Sequence, residues 1–259
     1  IKKSPDTIEG LKKLSAKGKK IGLSSSPYEL IWTAGSTGAI AELSSIGVKT
    51  GTTKTYPAIQ KWLQWLQKAA LYQNVYFHED SRELSKRLKS KELDWVTCWS
   101  EQLEDLKKFL GNRLGVAALP NGSTSKALPT QSIYGFSLGQ NSSKNQQTMA
   151  IKMIKTAVNT ISQRKIELDD SGLLAANHSV AIPSQSSKTL TALNISFNEQ
   201  SKHYAKEWPG IMRWYLPEQR NSKNYGKRYE QLRRTLTELT DGYLDINEAM
   251  QIITTTPTN

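Results

Sequence analysis

The sequence has one cysteine, no long apolar run and no block of five or six consecutive basic residues. The single thiol, Cys98, excludes an internal disulfide framework and a zinc site built from several cysteines. A membrane-spanning helix needs about 20 mostly apolar residues, and no segment meets that requirement. The first residues also lack the charged, apolar and small-residue zones of a signal peptide. We therefore expect a globular chain whose location has to be inferred from its function.

Positive charge is in excess: 35 lysines and arginines stand against 23 aspartates and glutamates, for a formal net charge of +12. Such an excess can serve binding to nucleic acid, to an acidic membrane surface or to an anionic ligand. The lysines are, however, spread along several helical segments, and no nucleic-acid-binding motif is recognisable. We keep polyanion binding as an alternative function and expect no nucleic-acid partner.

No set of catalytic or metal-binding residues stands out. The three histidines, His78, His178 and His203, are far apart in the sequence and lack the spacing of metal ligands. The sequence also contains no phosphate-binding loop and no Gly-x-Ser-x-Gly elbow. We expect neither catalysis nor a metal or other cofactor.

The stretch 90–120 predicts a strand, a helix and a second strand. Residues 94–99 are rich in aromatic and β-branched side chains, and 114–118 is a short apolar run. The helix between them has Ser100 as its predicted N-cap and leucines at helical spacing. A crossover unit of this size places the end of a strand beside a cleft, and Trp99 is the side chain at that end.

Apolar spacing predicts two long helices whose inner faces should lie in the core. In 57–72 the apolar residues recur at intervals of three and four. A second helix follows Ser142, with Met149 and Met153 facing inward as core fillers. Between these helices, alternation in 132–138 predicts a further strand.

Two helix segments carry aromatic residues that suit a ligand site. Residues 20–23 predict a buried strand that runs into Tyr28 at the start of the next helix, where free N–H groups can meet a ligand. Near the end of the chain, 227–239 predicts a helix with Tyr229 and Arg233 at positions i and i+4. These two side chains should therefore lie side by side.

The order of these segments resembles the maltose-binding-like family of extracellular solute-binding proteins that serve ABC importers. The resemblance is carried by Ser4-Pro5-Asp6-Thr7-Ile8-Glu9-Gly10-Leu11, Ser26-Pro27-Tyr28, Trp95–Trp99, Leu114-Gly115-Val116-Ala117-Ala118-Leu119-Pro120 and Asp241-Gly242-Tyr243-Leu244-Asp245-Ile246-Asn247-Glu248-Ala249-Met250. It implies an α/β fold, a lobe like those of type II periplasmic binding proteins, with a central mixed sheet flanked by helices. Independently of the resemblance, the serine cap and the proline at a first helical position predict that the first helix begins at Ser4 and Pro5.

The resemblance implies non-catalytic binding of a sugar or oligosaccharide for delivery to the membrane subunits of an ABC importer. The protein would work in the periplasm or outside the cell, associated with the membrane through the transporter. Sugar sites place aromatic rings against the C–H face of a pyranose and use a few polar groups to fix its orientation. The expected ligand contacts are Tyr28, Trp99, Tyr229 and Arg233.

The tryptophan segment departs from the family pattern. The family usually has a glycine just ahead of the tryptophan, where this chain has Thr97 and Cys98. The residue that faces the ligand is therefore expected to be either Trp99 or Ser100.

The start of the chain is a second departure, because it corresponds to the crossover into the family's second lobe. We expect 1–168 and 211–259 to form that second lobe, and 169–210 to belong to an otherwise missing first lobe. A single lobe should bind its ligand weakly, since it supplies only part of the contact. Apolar residues of 169–210 would then be exposed, and a homodimer is one expected consequence.

Two further classes of function remain open. One is a sensor or protein-interaction module built on the same lobe, and the other is a basic polyanion-binding protein. Quenching of tryptophan fluorescence by sugars would favour solute binding or a sensor. DNA binding that weakens steeply with salt would favour the polyanion-binding protein.

Overall fold

A computed structural model describes residues 4–46, 55–132, 135–168, 172–177, 179–180, 187–215 and 222–255. The chain divides into two compact units. Unit 1 comprises Ile1–Cys98, Ala118–Thr130 and Ile195–Asn259, and unit 2 comprises Trp99–Ala117 and Gln131–Asn194. No helix in the described ranges is both long enough and apolar enough to cross a membrane.

Helices dominate both units. The α-helices are α1 (Ile8–Ala16), α2 (Pro27–Thr37), α3 (Ile40–Ser45), α4 (Pro57–Ala70), α5 (Ser81–Lys89), α6 (Leu103–Leu110), α7 (Lys144–Ala157), α8 (Thr160–Leu168), α9 (Lys188–Asn194), α10 (Trp208–Tyr215), α11 (Ser222–Thr240) and α12 (Ile246–Thr254). The strands are β1 (Ile21–Ser24), β2 (Val75–His78) and β3 (Trp95–Val96). Short 3-10 turns lie at Ser100–Gln102, Gly111–Arg113 and Lys202–Tyr204, and Ile195–Ser201 is π-helical.

The sheet of unit 1 has the strand order β2-β1-β3, with β1 in the middle. Ile21 of β1 pairs with Val75 on one side and with Trp95 on the other, and both pairings are parallel. The carboxyl ends of parallel strands lie at the same edge, where Ser24 is opposite His78. The predicted α/β class is confirmed, but the sheet was predicted to be mixed, whereas the strands of the described residues are all parallel.

Helices cover the two faces of this sheet. Ile21 and Leu23 pack on one face in a cluster that includes Leu11 of α1. On the other face, a Cβ added to Gly22 would lie 2.9 Å from a methyl group of Leu84 in α5. The glycine therefore allows α5 to lie close against the central strand.

The larger core of unit 1 is formed by helices. The predicted inner face of α4 is confirmed, because Ile59, Trp62, Leu63 and Leu66 are each at most 1% exposed. The indole N–H of Trp62 donates to Oγ1 of Thr33 in α2 at 2.7 Å, so the polar atom of this buried ring is satisfied. Leu236 of α11 and Ile253 of α12 close the same cluster.

A buried arginine joins the last two helices. Arg228 of α11 is only 3% exposed, and its guanidinium donates to the carbonyl oxygens of Ile252 at 3.1 Å and Ile253 at 2.9 Å. These carbonyls belong to the last turn of α12, where they have no intrahelical donor. Burial lowers the pKa of Arg228 to about 10, so the side chain remains charged at neutral pH.

Unit 2 keeps much of its apolar surface exposed. Its helix α7 begins at a capping box, in which Ser143 accepts from the N–H of Gln146 and the Gln146 side chain accepts from the N–H of Ser143. Met149 and Met153 of α7 are 72% and 60% exposed. The prediction that these methionines are core fillers is therefore wrong.

Several predicted element boundaries also need correction. Residues 114–118 contain no strand, and neither do the described residues of 132–138. An apolar run forms a strand only where a neighbouring strand offers hydrogen-bond partners, which the run itself cannot reveal. The first helix is capped by Thr7, whose Oγ1 accepts from the N–H of Gly10 at 3.1 Å, rather than starting at Ser4.

The boundaries of the two units differ from those of the predicted lobes. Residues 131–168 lie in unit 2, while 195–210 lie in unit 1. There, α10 packs on α3 so closely that a Cβ added to Gly210 would lie 2.3 Å from the carbonyl oxygen of Ser44. The assignment of 169–210 to a first lobe stays a prediction.

Candidate ligand-binding site

The candidate site lies in unit 1, at the carboxyl ends of β1 and β2. β1 ends at Ser24 and the chain turns through two further serines, where the N–H of Ser26 donates to Oγ of Ser24 at 3.2 Å. The N–H of Ser25 donates to the carbonyl oxygen of His78 at 3.0 Å, which ties this turn to the end of β2. Helix α2 then starts at Pro27, whose fixed φ suits a first helical position, and Tyr28 follows in the first turn.

Two tyrosine rings meet at this edge. Tyr28 and Tyr229 are stacked with ring centroids 5.1 Å apart and an angle of 22° between their planes. The hydroxyl groups of Tyr229 and Ser26 are hydrogen-bonded at 3.1 Å. The hydroxyl group of Thr130 donates a hydrogen bond to the carbonyl oxygen of Tyr28, which holds the backbone of Tyr28 in place. Both rings are half-buried, so the pair is fixed in orientation and still reaches solvent.

Arg233 lies one helical turn beyond Tyr229 and is bound by two carboxylates. Its Nε donates to Oε2 of Glu230 at 2.8 Å, and Nη2 donates to the second oxygen of the same carboxylate. Its Nη1 donates to Oε2 of Glu79. The hydrogen bond to Glu230 is the largest cause that raises the pKa of Arg233, with the charge of Glu79 adding to it. The same bond lowers the pKa of Glu230.

Thr237 extends this row by another turn of α11. Its hydroxyl lies 3.4 Å from Oγ of Ser25 and 3.5 Å from Oε1 of Glu79. Tyr229, Arg233 and Thr237 thus stand at four-residue intervals on the side of α11 that faces the strand ends. The prediction that Tyr229 and Arg233 lie side by side agrees with this geometry, and the structure also brings Tyr28 to them.

Trp99 belongs to unit 2 and is half-buried at the start of the 3-10 turn Ser100–Gln102. The helix predicted to start at Ser100 is preceded by this turn, and α6 begins at Leu103. Whether Trp99 or Ser100 meets the ligand remains a prediction. In unit 1, the preceding Thr97 accepts a hydrogen bond from the N–H of Ser24 at 3.3 Å, which joins the ends of β1 and β3.

Two polar residues of the site were missed in the sequence. Glu79 directly follows β2, and β2 was not predicted, although Val75-Tyr76-Phe77 is a run of strand-forming residues that could have indicated it. Thr237 could have been found by continuing the four-residue spacing of Tyr229 and Arg233. The described residues contain no group of three histidine, cysteine or acidic side chains that could hold a metal ion.

The arrangement offers aromatic surface, hydroxyl groups and charged hydrogen-bonding groups at one edge of a parallel sheet. In open α/β sheets, ligands bind outside the carboxyl ends of the strands. Aromatic faces with a few oriented polar groups are typical of sites for small polar ligands such as sugars. The geometry therefore suits binding of a small polar solute.

The sequence profile of the family described as bacterial extracellular solute-binding protein matches residues 1–193. Since the match covers well over half of the 259 residues, the chain belongs to this family. The family consists of extracellular binding proteins. Among the curated proteins, none matches the chain significantly.

Solved structures of sugar-binding proteins share the fold. The maltose/maltodextrin-binding domain MalE from Bdellovibrio bacteriovorus bound to maltotriose matches with a TM-score of 0.61 at 15% identity, over 98% of this chain and 66% of that one. The GacH receptor of Streptomyces glaucescens, solved unliganded and with acarbose, has a TM-score of 0.55 at 15% identity, over 97% and 63%. Maltose-bound MalE3 of T. maritima has a TM-score of 0.55 at 13% identity, over 97% and 64%.

These likenesses confirm the predicted fold, that of type II periplasmic binding proteins. This chain spans slightly less than two thirds of the length of each of those proteins.

Proposed function

We propose that this protein binds a sugar or oligosaccharide without chemical conversion, for delivery to the membrane subunits of an ABC importer. The proposed place of action is the periplasm or the outer side of the cell membrane. The family membership supports solute binding, and the fold shared with a maltotriose-bound and a maltose-bound protein supports a carbohydrate as the solute.

The observation that carries the proposal is the stack of Tyr28 and Tyr229 beside Arg233. The centroids are only 5.1 Å apart, so the rings fill the space between them and a pyranose ring has to stack on the outer face of the pair. The hydroxyl group of Ser26 is hydrogen-bonded to Tyr229, and that of Thr237 lies 3.5 Å from Glu79, so both are placed to orient sugar hydroxyls. Trp99 is a further proposed contact, in unit 2.

The test is titration of the full chain with maltotriose, followed by tryptophan fluorescence and by ligand-observed NMR, which detects binding into the millimolar range. Tyr229→Ala should weaken binding by about 1–3 kcal/mol, the scale of a lost stacked ring and its hydrogen bond. Tyr229→Phe is the matched control, since it keeps the ring and removes only the hydroxyl that meets Ser26. It should retain most of the affinity.

If Tyr229→Ala binds maltotriose as well as the unchanged chain does, the aromatic pair is not the ligand contact. If the variant unfolds, circular dichroism will show it, and Tyr28→Ala then tests the same stack from the other ring. Binding of DNA that weakens steeply with salt, in place of sugar binding, would favour the polyanion-binding alternative.

A further inference from the structure

Most N–H donors of Arg233, the charged group of the candidate site, are bound by its own protein neighbours. Guanidinium has five N–H donors, and three of those on Arg233 point to carboxylate oxygens, one from each of its nitrogens. The side chain of Arg233 is 28% exposed, whereas those of Glu79 and Glu230 are 46% and 57% exposed. The two carboxylate side chains are therefore more open to solvent than the arginine they bind.

The cluster around Arg233 is net negative, with the charge of the neighbouring Arg234 offset by its own partner Glu238. It contains one cation and two carboxylates, and the hydrogen bond from Arg233 lowers the pKa of Glu230, which keeps that group ionised at neutral pH. An arginine usually receives carboxylate or phosphate ligands through two parallel N–H groups. Here Glu230 already occupies that bidentate position, through Nε and Nη2.

An anionic ligand would meet two obstacles at this position. It would have to displace a carboxylate from Arg233, and it would approach the remaining carboxylate with the same sign of charge. A neutral sugar meets neither obstacle, since its hydroxyl groups can donate to Glu79 and accept from the remaining N–H groups. An ammonium group on the ligand would gain a charge-assisted hydrogen bond to an exposed carboxylate.

We infer that this site selects uncharged and amino-bearing sugars and rejects sugars that carry carboxylate or phosphate groups, with Glu79 and Glu230 as the specificity-determining residues. The inference rests on the proposed function, because it names the class of sugar for the same site. It also gives Arg233 a definite role: it positions the two carboxylates and contributes donors to hydroxyl groups, and it does not bind an anion.

The experiment compares three trimers on the full chain: maltotriose as the neutral probe, trigalacturonate as the anionic probe and a glucosamine trimer as the amino-bearing probe. Trigalacturonate should bind at least about tenfold more weakly than maltotriose, the scale of one charge-assisted hydrogen bond. Raising the salt concentration should weaken binding of the glucosamine trimer and leave maltotriose binding unchanged.

The decisive variant is the double substitution Glu79→Gln with Glu230→Gln, which keeps the side-chain shapes and frees the guanidinium of Arg233. It should gain at least about tenfold in affinity for trigalacturonate and lose the preference for the glucosamine trimer. Glu83→Gln on α5 is the charge-matched control, because Glu83 pairs with Lys86 and not with Arg233. It should leave all three affinities unchanged. If the double variant misfolds by circular dichroism, Glu230→Gln alone serves the same test, because Glu230 is the residue that occupies the bidentate position on Arg233.

The outcomes distinguish the claim of charge selection from the claim of sugar binding. If trigalacturonate binds the unchanged chain as tightly as maltotriose, or if the glutamine variants leave the ratio unaltered, the charge selection is overturned and sugar binding stands. If no trimer binds either protein, sugar binding and charge selection are both overturned.

Discussion

The apolar faces of similar helices are buried to different extents in the two units. In unit 1, α4 presents apolar residues at helical spacing, and other helices of the unit bury that face almost completely. In unit 2, α7 also carries regularly spaced apolar residues, yet Met149 and Met153 remain largely exposed. The comparison shows that an amphipathic pattern identifies an apolar face but does not say whether anything covers it.

The largest contrast should appear on removing matched apolar side chains from the two helices. Leu63→Ala in α4 should lower the free energy of unfolding by about 2–5 kcal/mol, because it leaves a cavity in a closed core. Met153→Ala in α7 should change it by no more than about 0.5 kcal/mol.

The measurement is urea unfolding followed by tryptophan fluorescence and by circular dichroism. Six of the seven tryptophans, all except Trp99, lie in unit 1, so fluorescence reports mainly on that unit, while circular dichroism reports on both. A loss of about 2 kcal/mol or more for Met153→Ala would show that the exposed face of α7 is covered in solution.

The next contrast concerns arginines that bind carbonyl oxygens at helix ends. Arg228 does so while buried, whereas Arg113 of unit 2 donates to the carbonyl oxygen of Leu110 at 3.3 Å from an exposed position. Arg228→Ala should lower the free energy of unfolding by roughly 2–3 kcal/mol, because it leaves two carbonyls of α12 without their donor inside the protein. Arg113→Ala should lower it by less than about 0.5 kcal/mol, since water can replace the donor.

Thermal unfolding of both variants, with the unchanged chain as reference, measures this contrast. Equal shifts of the unfolding midpoint for Arg228→Ala and Arg113→Ala would mean that burial does not determine how much these hydrogen bonds stabilise the helix ends. Arg228→Lys is a useful third variant, because it keeps the charge but cannot reach both carbonyls with one planar group.

The difference between covered and uncovered apolar faces also explains which parts of the fold could be predicted from the sequence. The helix α4 was predicted well, because its apolar spacing is regular and the face is in fact buried. The strand predicted in 114–118 was wrong, because a strand is defined by its neighbour and not by its own composition. β2 was missed because it has only four residues and every second one is exposed, so its pattern is short and only partly apolar.

The candidate site was only partly predictable for a related reason. The proximity of Tyr229 and Arg233 follows from four-residue spacing on one helix, which is local information. The approach of Tyr28, about 200 residues earlier in the chain, depends on the packing of α11 beside the start of α2. Glu79 could not be placed until β2 was known. The hydrogen bond between Glu79 and Arg233 was therefore missed as well.

The smallest contrast compares two capping boxes of the described helices, one in each unit. Asp245 caps α12 in unit 1, where its carboxylate accepts from the N–H groups of Asn247 at 2.7 Å and Glu248 at 2.9 Å. Ser143 caps α7 in unit 2 in the same manner. Each replacement by Ala should remove about 1 kcal/mol from its own helix.

The two losses should appear in different measurements. Helix α12 buries Ala249 and Ile253 in the core of unit 1, so it cannot open without exposing that core. Asp245→Ala should therefore lower the global stability of unit 1 by about 1 kcal/mol. Helix α7 has no fully buried residue, so Ser143→Ala should speed amide hydrogen exchange in its first turns and leave the unfolding midpoint of unit 1 unchanged. A change in that midpoint would show that the stability of α7 is coupled to the core of unit 1.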